Sequence, residues 1–314
     1  MDAIERVRRF LEAAGLPGGD RYDLPDSPKR FADGGEYRIE IPSVEGPRAL
    51  AAVLEEADRR AVTIHRVSQG SGIMMLTDDE LDEMARLGAG AGIEVSLFVG
   101  PRAAWSTSAQ VRADAGKNLG ARLRGMDDVV YATADVFRAV DHGIRSVLVA
   151  DEGQLRLVDE LRTAGELPED LVVKISVQMG AANPLSVQTV ERLGAGTYNV
   201  PTDLTLPQLA AIRSVVDLPL DIYVEVPDNF GGFVRHYEVP EMIRVASPVY
   251  VKLGLRNAPD IYPSGMHIEQ TAVTLCRERV RRAKLVADLI ARHAPGAVMS
   301  DPGASDLGVP VVTS

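Results

Sequence analysis

Residues 145–178 read RSVLVADEGQLRLVDELRTAGELPEDLVVKISVQ. A β-branched run over 145–150 leads into Asp151-Glu152, acids of the kind that favour a first helical turn, and a helical pattern covers 152–164. A second β-branched run follows at 172–178. Strand, helix, strand at this spacing is a βαβ unit, which implies parallel pairing.

The same rhythm extends in both directions. Strands are expected at 37–42, 62–67, 93–99, 145–150, 172–178, 197–200, 220–226 and 249–253. Helices are expected at 46–59, 77–91, 127–142, 152–164, 184–194, 205–216, 238–246 and 266–293. Eight alternations predict a single α/β domain, a (β/α)8 TIM-type barrel, over 36–293. The stretch 100–126 reads as a long loop or an extra helix. A doubly wound open sheet is the alternative, but it usually carries G-x-G-x-x-G after a strand. Gly70-Ser71-Gly72 lacks the third glycine, so no nucleotide cofactor is expected. Residues 1–35 read as an extra N-terminal amphipathic helix, with Ile4, Val7, Leu11 and Ala14 at helical spacing, followed by a Gly/Pro/Asp-rich connector. That helix either closes one end of the domain or serves a homo-oligomer contact. Residues 294–314 read as a loose tail.

Composition narrows the partners. The chain has 314 residues, 46% of them hydrophobic, enough apolar material for a large core. Lys and Arg number 34 against 45 Asp and Glu, a net charge of −11. Such a balance argues against nucleic acid and against an anionic membrane surface. The basic run Arg277–Lys284 sits in a helical pattern and reads as a solvated face. A small-molecule or peptide substrate fits better. A single cysteine, Cys276, excludes an intramolecular disulfide and a four-cysteine iron–sulfur cluster within the chain. The opening MDAIERVRRF has no apolar core of a secretory signal, so a cytoplasmic location is expected.

Side chains alternate along a strand, and several of these strands carry polar residues on one parity. The apolar parity should face the helices and the polar parity the barrel lumen. That reading sends inward Arg38 and Glu40, Thr63 and His65, Glu94 and Ser96, Lys174, Ser176 and Gln178, Asn199, Tyr223 and Glu225, and Tyr250 and Lys252. Active sites of barrels lie at the C-terminal ends of the strands. Glu40, His65, Gln178, Asn199, Glu225 and Lys252 meet that condition, while Arg38, Glu94 and Lys174 sit lower. Lys252 is expected either to form a Schiff base or to act as a charge partner or substrate anchor. Glu225 is expected as a general base paired with Lys252, and His65 joins them as a catalytic candidate. A divalent ion such as zinc or manganese would draw on Glu40, His65, Glu225 and His267. Two loops add His236, after the seventh strand, and Arg256, near a helix start that Ser264 could cap.

One segment carries a family resemblance. Ser176-Val177-Gln178, Asn183, Leu193-Gly194-Ala195, Leu204-Thr205-Leu206-Pro207-Gln208-Leu209 and Glu225 follow one another over residues 172–226. The series resembles the collagenase-like U32 peptidase family. The resemblance implies a barrel core with Ser176, Gln178, Asn183 and Glu225 lining the site. It departs from the family after Glu225, where Val226-Pro227-Asp228-Asn229 replaces a His-Gly pair and a cysteine. The functional expectation is a peptidase-like hydrolase acting on a small polar or peptide-like anionic substrate by acid/base chemistry. The alternatives are a lyase or isomerase using Glu225 and Lys252, and a non-catalytic ligand-binding barrel.

Overall fold

The computed structural model describes residues 2–106 and 108–312. In chain order the elements are α1 (Ala3–Ala13), β1 (Tyr37–Pro42), α2 (Pro47–Arg60), β2 (Arg66–Ser68), α3 (Asp78–Ala91), β3 (Glu94–Phe98), α4 (Gly125–Asp141), β4 (Ser146–Val149) and α5 (Glu152–Thr163). There follow β5 (Val172–Ile175), α6 (Pro184–Arg192), β6 (Thr197–Asn199), α7 (Leu206–Arg213), β7 (Leu220–Glu225), α8 (Val239–Ala246), β8 (Val249–Leu253) and α9 (Glu269–His293). The strands pair in parallel in sequence order, and β8 returns to β1, closing the barrel. The (β/α)8 expectation is therefore met. Between β3 and α4, residues 100–106 and 108–124 form no α-helix and carry short 3-10 turns at Ala103–Trp105, Gln110–Arg112 and Asp114–Leu119. No helix among the described residues is long and apolar enough to cross a membrane.

The apolar core lies between strands and helices. Ile39, Ile41, Val67, Val95, Leu97, Val147, Val173, Ile175, Leu220 and Leu253 point outward from the barrel into the helix layer, all fully buried. The opposite parity fills the lumen, as strand alternation requires. Local signals place the helices: Thr77 and Glu80 form a capping box at α3, Asp151 caps α5 and Asn183 caps α6.

The expected loose tail is instead packed. Tyr37 bridges to Met299, and Arg38 donates to Ser300 Oγ and pairs with Asp306. Ala304 and Leu307 join Phe31 of the connector and Tyr250 of β8 in a small apolar cluster. Gly308 lies so close to strand β4 that a Cβ there would sit 2.5 Å from the Arg145 carbonyl oxygen. Tail and connector together plug the N-terminal end of the barrel, because the apolar groups there would otherwise face water. The α1 helix behaves differently: none of its residues is buried, and Ile4, Val7 and Phe10 stay exposed.

His65 belongs to this plugged end. Strand β2 begins at Arg66, four residues after the expected start at Val62, and its inward parity is one residue out of step with the expected one, so Arg66 and Ser68 enter the lumen and His65 does not. A one-residue offset exchanges the two faces of a strand. The His65 Nδ1 accepts from the Ile39 amide at 3.1 Å, and Nε2 lies 2.9 Å from the Ser300 carbonyl, so both ring nitrogens are used. Burial, with Arg38 nearby, pulls the imidazole down to about 4, so it is held neutral.

A depressed pKa on a base means the unfolded chain takes up the proton first. Stability contributed by neutral His65 is therefore complete above about pH 6.5 and is lost as pH falls toward 4, by roughly 3 kcal/mol. Urea unfolding from pH 7 to 4 should show this decline, and His65→Gln should flatten it. An equal pH slope in the two proteins would remove the role assigned to His65.

Candidate functional site at the barrel mouth

Six fully or nearly fully buried ionisable groups meet in the lumen: Glu40, Glu94 and Asp221 against Arg66, Lys174 and Lys252. Pairing register puts Glu40 beside both Arg66 and Lys252, and Arg66 beside Glu94. Arg66 lies 2.8 Å from Glu94, 3.1 Å from Asp221 and 3.3 Å from Glu40, with its guanidinium 3.5 Å from the centre of the Tyr250 ring. Lys174 bridges Glu40 and Asp221. Lys252 lies 3.1 Å from Glu40, and Ser68 donates to the same carboxylate at 2.7 Å. The charges balance three to three, which offsets the desolvation that would otherwise expel them. Burial alone would raise the Glu40 carboxyl, but Lys174, Lys252 and Arg66 together hold it far below the usual carboxylate range. Burial pulls the Lys174 ammonium down to about 8 even though Asp221 and Glu40 oppose the shift.

Above this network the mouth opens into a cavity of about 240 Å³. Its floor is Lys252 and Asn199, and its walls include Ser68, Gln69, Gly70, Ser176, Gln178 and Tyr223. Phe98, Trp105, Phe230 and Tyr262 give it apolar surface, and Arg102, Lys117 and Asp260 give it charge. With its amide turned to satisfy both neighbours, Asn199 donates to the Asp221 carbonyl at 3.1 Å and accepts from Lys252 Nζ at 3.0 Å. The Lys252 ammonium also lies 4.5 Å from the centre of the Tyr223 ring. Carboxylate, amide oxygen and ring face together hold the amine in place. Gly70 is required where it stands, since a Cβ would come within 2.3 Å of the Tyr262 ring. A wider concavity between α1 and the connector, lined by Arg8, Glu12, Arg21 and Tyr22 among others, holds only exposed and half-buried residues.

Of the residues singled out from sequence, Lys252, Asn199, Ser176 and Gln178 line this cavity, and Glu40 lies beneath it, bonded to Lys252. Gln178 reaches the mouth from a 3-10 turn over Val177–Met179, since β5 ends at Ile175. Glu225 does not meet Lys252. A β-bulge shifts the register so that Tyr223 opposes Lys252 while Glu225 opposes Leu253, an outward residue. The Glu225 carboxylate then sits 3.3 Å from His236 and 3.4 Å from Arg282, and accepts from the Arg256 amide at 3.2 Å. Burial would raise its pKa, but His236, that amide and Arg282 bring it below the ordinary value. His236 is thus a partner of Glu225 rather than a cavity residue. Asn183 serves as the cap of α6. Arg256 is exposed and 3.9 Å from Asp228. Ser264 leaves α9 without a side-chain cap; its amide donates to Ser71 instead. His267 is exposed on the turn preceding α9.

The ligand set suggested for a divalent ion is accordingly dispersed: Glu40 is saturated by cations, His65 is at the opposite end, Glu225 is turned outward and His267 is on the surface. Among the described residues no group of three His, Cys, Asp or Glu side chains could hold a metal ion. Three participants escape the sequence reading. Arg66 is hidden by the offset in β2. Asp221 shares the parity of Tyr223 in the expected strand 220–226. Arg102 lies in the stretch 100–126, which has no periodicity to orient it.

No protein-family model matches the chain, and no curated protein matches it. Solved structures with similar shape include a U32 peptidase, at 17% identity over 72% of this chain and 97% of that one, with a TM-score of 0.43. A truncated 3-deoxy-D-arabino-heptulosonate 7-phosphate synthase from Thermotoga maritima is 15% identical over 88% and 95%, with a TM-score of 0.45. A protein from Burkholderia cenocepacia described as a lyase or mutase is 15% identical over 98% and 100%, with a TM-score of 0.46. The barrel assignment itself rests on the strand order given above.

The lumen network should behave as one coupled unit. Asp221→Asn removes one carboxylate from both Lys174 and Arg66 and should cost roughly 3–5 kcal/mol. Adding Lys174→Met restores the charge balance and should recover at least half of that loss in urea unfolding. Losses that simply add would show that the six groups are not coupled.

Proposed function

We propose that the chain is an enzyme that acts on a small anionic carbonyl compound at the C-terminal mouth of the barrel, by lyase or isomerase chemistry. The observation that carries this reading is Lys252: a charged amine held by Glu40, Asn199 and Tyr223 on the floor of an otherwise partly apolar cavity. An ammonium fixed in such a place stabilises negative charge developing on a carbonyl oxygen without first having to be oriented. Asp260 is the carboxylate among the described lining residues and is the group we assign to accept the proton next to that carbonyl. The cavity is below the range of about 300–1,000 Å³ common for drug-sized ligands, which favours a compact substrate.

The hydrolase reading drawn from the U32 resemblance is the second choice. It needs Ser176, Gln178, Asn183 and Glu225 at one place, and the positions of Asn183 and Glu225 do not support it. A non-catalytic binding barrel would leave Lys252 as a simple anchor.

Solvent deuterium exchange separates these readings. Pyruvate and 2-oxobutyrate incubated with the protein in D2O should lose their α-proton signals by NMR faster than in buffer. Lys252→Met and Asp260→Asn should each slow that exchange by about a hundredfold, and Glu225→Gln should leave it within a few-fold of the parent. Exchange no faster than in the Lys252→Met protein would reject the catalytic reading. Borohydride-dependent mass addition at Lys252 would redirect the role of the amine from polarising the carbonyl to forming a Schiff base.

A further inference from the structure

Arg102 is a buried cation in the mouth with most of its bonding capacity unused. Its residue is 8% exposed and lines the cavity. One guanidinium nitrogen donates to the Gly70 carbonyl, while Nε has no partner and no carboxylate among the described residues lies within ion-pair distance. The lumen cations, by contrast, each face a carboxylate, and buried Arg213 is saturated by main-chain carbonyls. Glu45, the nearest candidate for a counter-charge, is already occupied by the Gly70 and Ser71 amides and the Ser71 hydroxyl. A guanidinium offers five N–H donors, and leaving a buried charge uncompensated is costly. Burial pulls Arg102 down to about 10, which leaves it charged at neutral pH.

The surroundings of the group also select the shape of its ligand. The guanidinium carbon lies 3.7 Å from the centre of the Phe98 ring and 4.2 Å from that of Trp105. Aromatic surface takes the face of the guanidinium and leaves its N–H edge for a ligand. Such an edge presents paired, coplanar donors, which match a planar group with two oxygens.

We propose that Arg102 anchors a substrate carboxylate in the mouth, making the ligand a small carboxylic acid. The proposal rests on the mouth being the site, as argued above, but not on any chemistry at Lys252. The carboxylate would supply the counter-charge that the protein does not.

The test is ligand binding by the full chain, followed by thermal shift and calorimetry with pyruvate, succinate and inorganic phosphate. At least one of the two carboxylates should bind saturably. Arg102→Met should weaken that binding about thirtyfold or more, Arg102→Lys should weaken it less, and Arg256→Met, an exposed cation outside the cavity, should bind within a few-fold of the parent. Without ligand, Arg102→Met should melt no lower than the parent, because an uncompensated buried charge has been removed. A lower melting point would mean that Arg102 is a structural brace for Gly70, and would overturn the proposal. So would unchanged carboxylate binding by Arg102→Met, saturable binding of phosphate in preference to both carboxylates, or no saturable binding of either carboxylate. Arg102-dependent carboxylate binding without α-proton exchange would refute the enzymatic reading and leave this one standing.

Discussion

Everything at the centre of this barrel depends on the mutual neutralisation of three carboxylates and three cations. TIM-barrel interiors are more often filled by branched apolar side chains. Here Glu40, Glu94 and Asp221 face Arg66, Lys174 and Lys252 at essentially no solvent exposure. Each group alone would be expelled by desolvation, so each requires the others in place. The requirement runs across strands, because Glu40 is on β1, Arg66 on β2, Lys174 on β5, Asp221 on β7 and Lys252 on β8. Closure of the barrel and pairing of the charges are therefore one condition.

The two ends of the lumen are treated differently. At the N-terminal end the connector and the C-terminal segment cover the barrel with Phe31, Ala304 and Leu307, and Asp306 supplies a carboxylate to Arg38. His65 is enclosed there as a neutral ring. At the C-terminal end the network stops at Lys252, whose amine forms the floor of the cavity. The loop after β2 is held rigidly, with Glu45 binding its amides and Gln69 bonding to Gly72 through both amide ends. Arg102 docks on that loop from the long segment after β3. The open cavity at one end thus contrasts with the packing that closes the other.

Strand alternation makes much of this legible in the sequence alone. Glu40, Glu94, Lys174, Asn199, Tyr223 and Lys252 all lie on the inward parity read from their own strands, and the eightfold βα rhythm implied closure. The parity argument fails at two particular places, each for a local reason. In β2 the apolar residues Val62 and Ile64 resemble a strand, yet they precede it, and the true strand of three residues begins at Arg66. In β7 the bulge after Tyr223 rotates Glu225 out of line. A period of two carries no information about where a strand starts or where an extra residue is inserted.

The sequence by itself determined the barrel, the apolar layer and the polar character of the lumen, because these follow from short-range periodicity repeated eight times. Tertiary structure alone decided who pairs with whom. Lys252 meets Glu40, 212 positions away in the chain, because β8 closes on β1, and Glu225 meets His236 and Arg282 because a bulge turns it away. The placement of Arg102 is of the same kind. Its segment has no periodicity, and only the packing of Phe98, Trp105 and the Gly70 loop directs its guanidinium to the mouth. Periodicity reports which face a residue takes, whereas partners are set by the closure of the whole chain.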